Sequence, residues 1–359
     1  MALQPHVFFT AFWQRIQTRF TRSSSQAFLS FMAIGLSLSL VVSACSSGNQ
    51  SNQAASPGNL PNNNATPPAS GLVVKIGYQK AATILSLLKE NKDLETALAA
   101  SGGTVQWAEF PAGPPLLEAM NSGSVDFGYT GEAPPIFAQA AGTPVRYVAY
   151  DPLSTKAEAI VVPKDSSIQK LEDLKGKKLA FAKGSNTNYL VVKALESVGL
   201  SLSDVEVVHL TPADARAAFE TGKVDAWAIW DPYLAVAETK IGAKQIADAT
   251  GLAPNKGYYL ASQTFIDKNP AALKIVLDEV RKRSDWAKSN PSEVTKFLAP
   301  SLGIDPAPLE LAEKRREYGV LPLTDEVIAK QQEIADTFSK IKLIPKEIKV
   351  QEAVWKGNS

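Results

Sequence analysis

Residues 119–134, AMNSGSVDFGYTGEAP, align without a gap on residues 218–233, AFETGKVDAWAIWDPY, at a constant offset of 99. Each stretch reads as the end of a helix, a Gly turn and a strand that opens on Val-Asp. Upstream, KIGYQKA at 75–81 stands to KLAFAKG at 178–184 at an offset of 103, so strand, turn, helix and strand recur in the same order. A single G-x-V-D match is a common helix-to-strand turn. Two matches in the same order predict a duplicated unit, that is, two similar α/β lobes.

The rest of the chain extends this frame. Leu72–Tyr78, Thr104–Phe110, Val125–Tyr129, Val145–Tyr150, Ala159–Val162, Lys178–Ala182, Val205–Leu210, Val224–Ile229 and Gly257–Ala261 read as short strands bounded by turn residues, with helical periods between most of them. Such alternation predicts an α/β protein with mixed, mostly parallel sheets flanked by helices. The C-terminal third, from Phe265 to Phe338, is helical in period and broken at Pro270, Pro291, Pro306 and Pro322; these helices are expected to pack on the first lobe. Chain crossings are expected near 154–157 and 255–257. Lobe 1 is then 72–156 with 257–359, and lobe 2 is 157–256. LDEVRKRSDWAKSN, within that third, carries charges of both signs on one side, the pattern of a solvated face.

Ligands of open α/β sheets bind beyond the carboxyl ends of the strands. The repeat therefore predicts four turns facing one another across an interlobe cleft: Gln79-Lys80-Ala81, Thr130-Gly131-Glu132, Gly184-Ser185-Asn186-Thr187 and Trp230-Asp231-Pro232. The third turn, in FAKGSNTNYLVVKAL at 181–195, joins a flexible Gly to hydroxyl and amide side chains at a helix start, where free N–H groups and the helix dipole suit an anion. Ser, Asn and Thr at a helix start also serve simply as caps. Placement opposite Tyr129-Thr130-Gly131 favours the anion. Of the aromatic residues Tyr78, Tyr129, Trp227 and Trp230 at the strand ends, only some are expected to reach a ligand, and strand alternation sends Trp227 and Trp230 to opposite faces.

No catalyst stands out. His6 lies in the leader and His209 is alone at a strand end, the fold has no cysteine, and neither a P-loop nor a dinucleotide Gly pattern follows a strand. No metal and no cofactor are expected. A carboxylate enzyme working through Glu132 and Asp231 is the alternative from another class. Taking the three leader arginines off the 37 basic residues leaves 34 against 36 acidic ones, so there is no field to attract nucleic acid.

Arg15, Arg19 and Arg22 precede the uncharged run 27–42, which ends in VSAC, so residues 1–44 read as an export signal. That run is short for a membrane span of about 20 residues. Val42-Ser43-Ala44 also suits ordinary cleavage, but Cys45, the only cysteine, makes V-S-A-C resemble a lipobox whose cysteine becomes the lipidated mature N-terminus. Residues 46–71 hold no charge and one Leu, and as part of the tether 45–71 they span about 28 Å, at roughly 5 to 6 Å times the square root of the residue count. A lipid-anchored chain on the periplasmic side of the bacterial inner membrane is expected.

TGEAPPIFAQAAG at 130–142, EFPAGPPLLEAMNSGSVDFG at 109–128, LTPADARAAFETGKVDAWAIWDPY at 210–233 and IGYQKA at 76–81 resemble the aliphatic sulfonate-binding proteins of bacterial ABC importers, from about Val74 to the C-terminal VWKG. The resemblance implies a two-lobe periplasmic-binding-protein fold of type II that closes on an alkanesulfonate, acts as a monomer and delivers its ligand to an ABC permease and its ATPase. It implies ligand contacts at Gln79, at Thr130, Gly131 and Glu132, at Ser185, Asn186 and Thr187, and at Trp230 and Asp231. A sulfonate, ionised at any ordinary pH, needs only donors. A phosphate-type anion would use an acceptor such as Glu132 or Asp231. On the sulfonate reading, Asp231 orients a loop or meets an amine on the ligand tail. Taurine, nitrate or a thiamine precursor are the alternatives on the same fold.

Overall fold

The computed structural model describes residues 71–357, so the export signal and Cys45 lie outside the described residues, as does nearly all of the tether. The strands run β1 Val73–Tyr78, β2 Thr104–Glu109, β3 Phe127–Gly131, β4 Val145–Asp151, β5 Glu158–Val162, β6 Lys178–Phe181, β7 Glu206–His209, β8 Ala226–Trp230, β9 Lys244–Asp248 and β10 Gly257–Ser262. The helices are α1 Thr83–Asn91, α2 Asp93–Ala99, α3 Gly113–Asn121, α4 Ala133–Ala140, α5 Asn186–Ser197, α6 Pro212–Glu220, α7 Tyr233–Val236, α8 Gln263–Lys268, α9 Pro270–Ser289, α10 Pro291–Leu302, α11 Pro306–Arg315 and α12 Asp325–Lys340.

Two five-stranded sheets result, ordered β2-β1-β3-β10-β4 and β7-β6-β8-β5-β9. The orders are the same once β1 is matched to β6, β2 to β7, β3 to β8 and β4 to β9, the duplication that the aligned stretches predict. Each sheet is mixed. β1 pairs in parallel with β2 and β3, as β6 does with β7 and β8, while β10 and β5 enter their sheets antiparallel. The chain leaves the first sheet at Asp151 and joins the second at Glu158, then leaves the second at Asp248 and re-joins the first at Gly257. Each crossing thus feeds a strand into the interior of the other sheet.

The repeated G-x-V-D does the same work twice. Gly123 (φ +76°) and Gly222 (φ +67°) take the left-handed conformation that ends α3 and α6. Val125 and Val224 are buried beneath the sheets. Asp126 then brackets the peptide of Lys75, accepting its N–H at 2.9 Å while donating its own N–H to the Lys75 carbonyl at 2.8 Å. Asp225 treats Lys178 in the same way, at 2.8 and 2.9 Å. These brackets fix the register of each third strand against its first, and hence the height at which the following turn emerges.

Among the described residues β9 has no counterpart in the strands expected from the sequence. KQIAD is a half-exposed edge strand without an apolar run, so its pattern carries little signal. The C-terminal helices also depart from expectation. Pro270, Pro291 and Pro306 begin α9, α10 and α11, where a missing N–H costs nothing. α9 and α10 pack on α1 beside the first sheet, but α11 packs on α10 and also on α7 of the second sheet. α12 touches both sides, with Phe338 5.0 Å from Phe137 on α4 and 5.7 Å from Tyr189 on α5. The outer charges of α9 pair within the helix, as Lys274–Asp278 and Lys282–Glu279 do. No described helix is long and apolar enough to cross a membrane.

Loss of a bracketing carboxylate leaves a strand N–H without its acceptor. Asp126→Ala should lower stability by about 1–2 kcal/mol and the more exposed Asp225→Ala by about half that, measured by urea denaturation.

Candidate functional site

The carboxyl ends of β1, β3, β6 and β8 open onto one cleft of about 730 Å³, its mouth included. Gln79, Lys80, Gly131, Ser185, Asn186, Trp230 and Asp231 line it, so all four turns expected from the repeat meet there. Thr130, Glu132 and Thr187, expected as contacts, are fully buried and do not line the cleft. Tyr129 lines it, whereas Tyr78 packs edge-on against Trp107 and Trp227 packs at a tilt on Phe219 in the core.

Ser185 is not a simple cap. It precedes α5 in extended geometry, with no side-chain capping bond. Its hydroxyl donates to the Ala182 carbonyl (2.7 Å) and lies 2.8 Å from the Thr187 hydroxyl. In the first turn of α5 the Asn188 N–H donates to the Ser185 carbonyl at 3.0 Å, while the Asn186 and Thr187 N–H groups ahead of it have no acceptor one turn back. Gln79 donates to the Tyr129 carbonyl at 3.1 Å, which anchors the turn after β1 to β3.

Asn186 joins the two sides of the cleft. Its Oδ1 accepts the Ala133 N–H at 3.3 Å, and its Nδ2 donates to Asn255 Oδ1 at 3.3 Å. Asn255 in turn donates to the Ser154 carbonyl at 2.6 Å, so one amide chain connects α5, α4 and both crossings. Gly131 allows this approach, because a Cβ there would overlap the Asn186 amide.

Glu132 is displaced from its expected place by the turn into α4, which it caps. Its Oε2 accepts the Lys256 N–H at 2.8 Å. Burial pushes its carboxyl up to about 7. Asp231 lines the cleft, and the loop-orienting alternative describes its bonds: Oδ1 accepts the Ala235 N–H at 3.0 Å and Oδ2 lies 3.5 Å from Arg315. Burial pushes it up to about 7, with Arg315 pulling the other way. His209 lies edge-on to Phe181, consistent with a structural role, and burial lowers its pKa.

α11 and the residue after it supply a wall that the sequence pattern does not reveal: Leu309, Ala312, Glu313 and Arg316. Arg315 clamps Asp231 and Glu238 on the other side. Glu313 accepts hydroxyl hydrogen bonds from Thr83 (2.9 Å) and Tyr318. Arg316 donates to the Ala81 carbonyl at 2.5 Å and sits 3.6 Å from Asp151. Burial opposes its charge, but Tyr129, Glu313 and Asp151 outweigh that and hold its pKa above the ordinary value. Lys80 is spent on the Leu302 carbonyl at 2.7 Å. No group of three or more His, Cys, Asp or Glu among the described residues is arranged to hold a metal.

Residues 110–294 match the model of the NMT1/THI5 like family. A curated relative from Escherichia coli (strain K12), named as an aliphatic sulfonates-binding protein, is 41% identical over 79% of this chain and 88% of its own. The chain belongs to the aliphatic sulfonate-binding protein family. A member of that family from Bacillus subtilis (strain 168), with the same name, is 35% identical over 78% of this chain and 85% of its own. The solved alkanesulfonate-binding protein SsuA from Xanthomonas axonopodis pv. citri, bound to MOPS, superposes with a TM-score of 0.76 at 39% identity, covering 80% of this chain and 99% of that one. The fold is therefore that of the periplasmic binding proteins.

Gly131→Ala should expel the Asn186 amide from its place and cost about 1–3 kcal/mol. Combining it with Asn186→Ala should then cost much less than the sum of the two single changes, a coupling that a double-mutant cycle of thermal unfolding reads directly.

Proposed function

We propose that this chain is the extracytoplasmic solute-binding component of an ABC importer. It captures an aliphatic sulfonate between lobe 1 (72–156 with 257–359) and lobe 2 (157–256) and passes it to a membrane permease and its ATPase. The observation that carries the reading is the mixed lining of the cleft. It offers neutral donors, the second Gln79 amide hydrogen and the first N–H groups at the Asn186 start of α5, together with the apolar surface of Trp230, Leu309 and Ala312. That combination suits a headgroup that is always ionised, followed by an aliphatic tail. Of the lining cations, Arg316 is paired with Asp151 and the Ala81 carbonyl, whereas Lys80 donates to the Leu302 carbonyl and keeps its positive charge beside the neutral donors.

Binding without catalysis is part of the proposal. The carboxylates at the cleft are committed to structure, Asp231 to the Ala235 N–H and Arg315, Glu313 to two hydroxyls. The protein works as a monomer on the periplasmic face of the inner membrane, held by lipid on Cys45. Several acyl chains give the stable attachment that one chain does not.

Titration calorimetry of the ligand-free protein should show ethanesulfonate or butanesulfonate binding at micromolar concentrations or tighter, ahead of nitrate, phosphate and a pyrimidine thiamine precursor, with taurine as a test of tail charge. Failure of every sulfonate alongside binding of another anion would overturn the assignment. Ser185→Val, which removes the hydroxyl that links the Ala182 carbonyl to the Thr187 hydroxyl at the start of α5, should weaken sulfonate affinity by about 5- to 100-fold. In cells, Cys45→Ser should move the protein from the membrane fraction to the soluble periplasmic fraction.

A further inference from the structure

The two parts of the chain that build the two sheets, 157–256 and the rest, meet beside the cleft at α11. Among the described residues, three ion pairs join these parts: Arg315 with Asp231, Arg315 with Glu238, and Lys240 with Asp305. All three rest on α11, since Arg315 is its last residue and Asp305 its N-cap.

The pairs are unequal. Lys240 and Asp305 keep 46% and 64% of their side-chain surface exposed, and a pair so wet contributes little. Arg315 and Asp231 keep only 14% and 6%. One guanidinium nitrogen lies 3.5 Å from Asp231 Oδ2, and another donates to Glu238 Oε2. Each carboxylate is also held from behind. Asp231 accepts the Ala235 N–H at 3.0 Å through its other oxygen and donates its own N–H to the Ala157 carbonyl at 2.9 Å, which fixes it to α7 and to a crossing. Glu238, in the wide helical turn Ala237–Ile241 that continues α7, accepts the Gln245 amide of β9 at 2.6 Å. Two carboxylates set in advance suit a rigid fork of donors better than a single ammonium.

The clamp joins opposite walls of the cleft. Leu309, Ala312, Glu313 and Arg316 form one wall, and Trp230 and Asp231 stand on the other. Arg316, the next residue, turns the opposite way, to the Ala81 carbonyl and Asp151. Adjacent arginines therefore pin the end of α11 in two directions, Arg316 to the turn after β1 and Arg315 to the turn after β8.

We propose that Arg315 is a positioning residue for ligand retention: it locks the wall carried by α11 against the Trp230-Asp231 turn and so sets how slowly a bound ligand leaves. Arg315 does not itself line the cleft; it acts through Asp231. Without the guanidinium, two carboxylates would converge on the place it occupies, with Asp231 nearly dry, and their repulsion would push the walls apart. The effect falls on dissociation, because truncating one partner of a buried charge pair acts mainly on the rate at which a complex comes apart. The inference rests on the sulfonate reading, and the experiment separates the two.

Calorimetry of butanesulfonate binding gives the affinity, and stopped-flow tryptophan fluorescence, with Trp230 in the cleft as reporter, gives the two rates. Both are run at pH 8, above the value of about 7 to which burial pushes Asp231. Arg315→Gln should release butanesulfonate about 10- to 100-fold faster, with an association rate changed by less than about threefold. Arg315→Lys should recover part of that loss, since an ammonium restores the charge without the fork. Arg216→Gln, which removes an exposed pair on α6, should leave both rates as they are. Release from Arg315→Gln at the wild-type rate, even with a lowered unfolding midpoint, would overturn the inference and leave the sulfonate assignment intact, as would a loss of affinity due wholly to slower association. Should Arg315→Gln fail to fold, Glu238→Gln, at the more exposed end of the clamp, should still speed release by about 3- to 10-fold, and wild-type release there overturns the inference equally. No binding of any sulfonate by the unaltered protein would sink the assignment and the inference with it.

Discussion

Everything in the site depends on how the chain crosses between its two sheets. The segments 152–157 and 249–256 are the backbone connections between them, and each delivers an antiparallel strand into the interior of the sheet it enters. A strand with neighbours on both sides cannot slide without breaking two ladders, so the crossings are anchored at both ends. The cleft turns inherit that anchoring. Asn255 lies within one crossing and holds Asn186, while its own side chain reaches the other crossing at Ser154. The loop before α5 is thus tied through one side chain to both crossings.

The charge balance in the cleft follows the same economy. Its acids and its cations are largely engaged with one another or with backbone groups, through Asp231 with Arg315 and through Arg316 with Asp151 and Ala81. Neutral donors remain for the ligand, with the Lys80 ammonium beside them. Hydrogen bonds from neutral groups to an anion in a partly dry cleft are strong enough to matter. A fixed counter-charge would bind many anions, whereas aligned neutral donors ask for the right oxygen geometry. Selectivity then lies in shape.

Much of this was legible in the sequence, for local reasons. The Gly, Val and Asp of the repeat each have a role set within one turn of chain, so a gapless match between 119–134 and 218–233 was enough to establish the paired sheets and the place where the turns converge. Contributions decided by tertiary packing were not legible. EKRREYG reads as the charged end of a helix, and only the way α11 lies against α7 brings Glu313 and Arg316 to the cleft. Glu132 illustrates the other kind of failure. It stands in the turn that lines the cleft, but as the cap of α4 it directs its side chain back toward the crossing, and a difference of one residue in a tight turn reverses which way a side chain faces. β9 escaped notice because an exposed edge strand has no need of an apolar pattern.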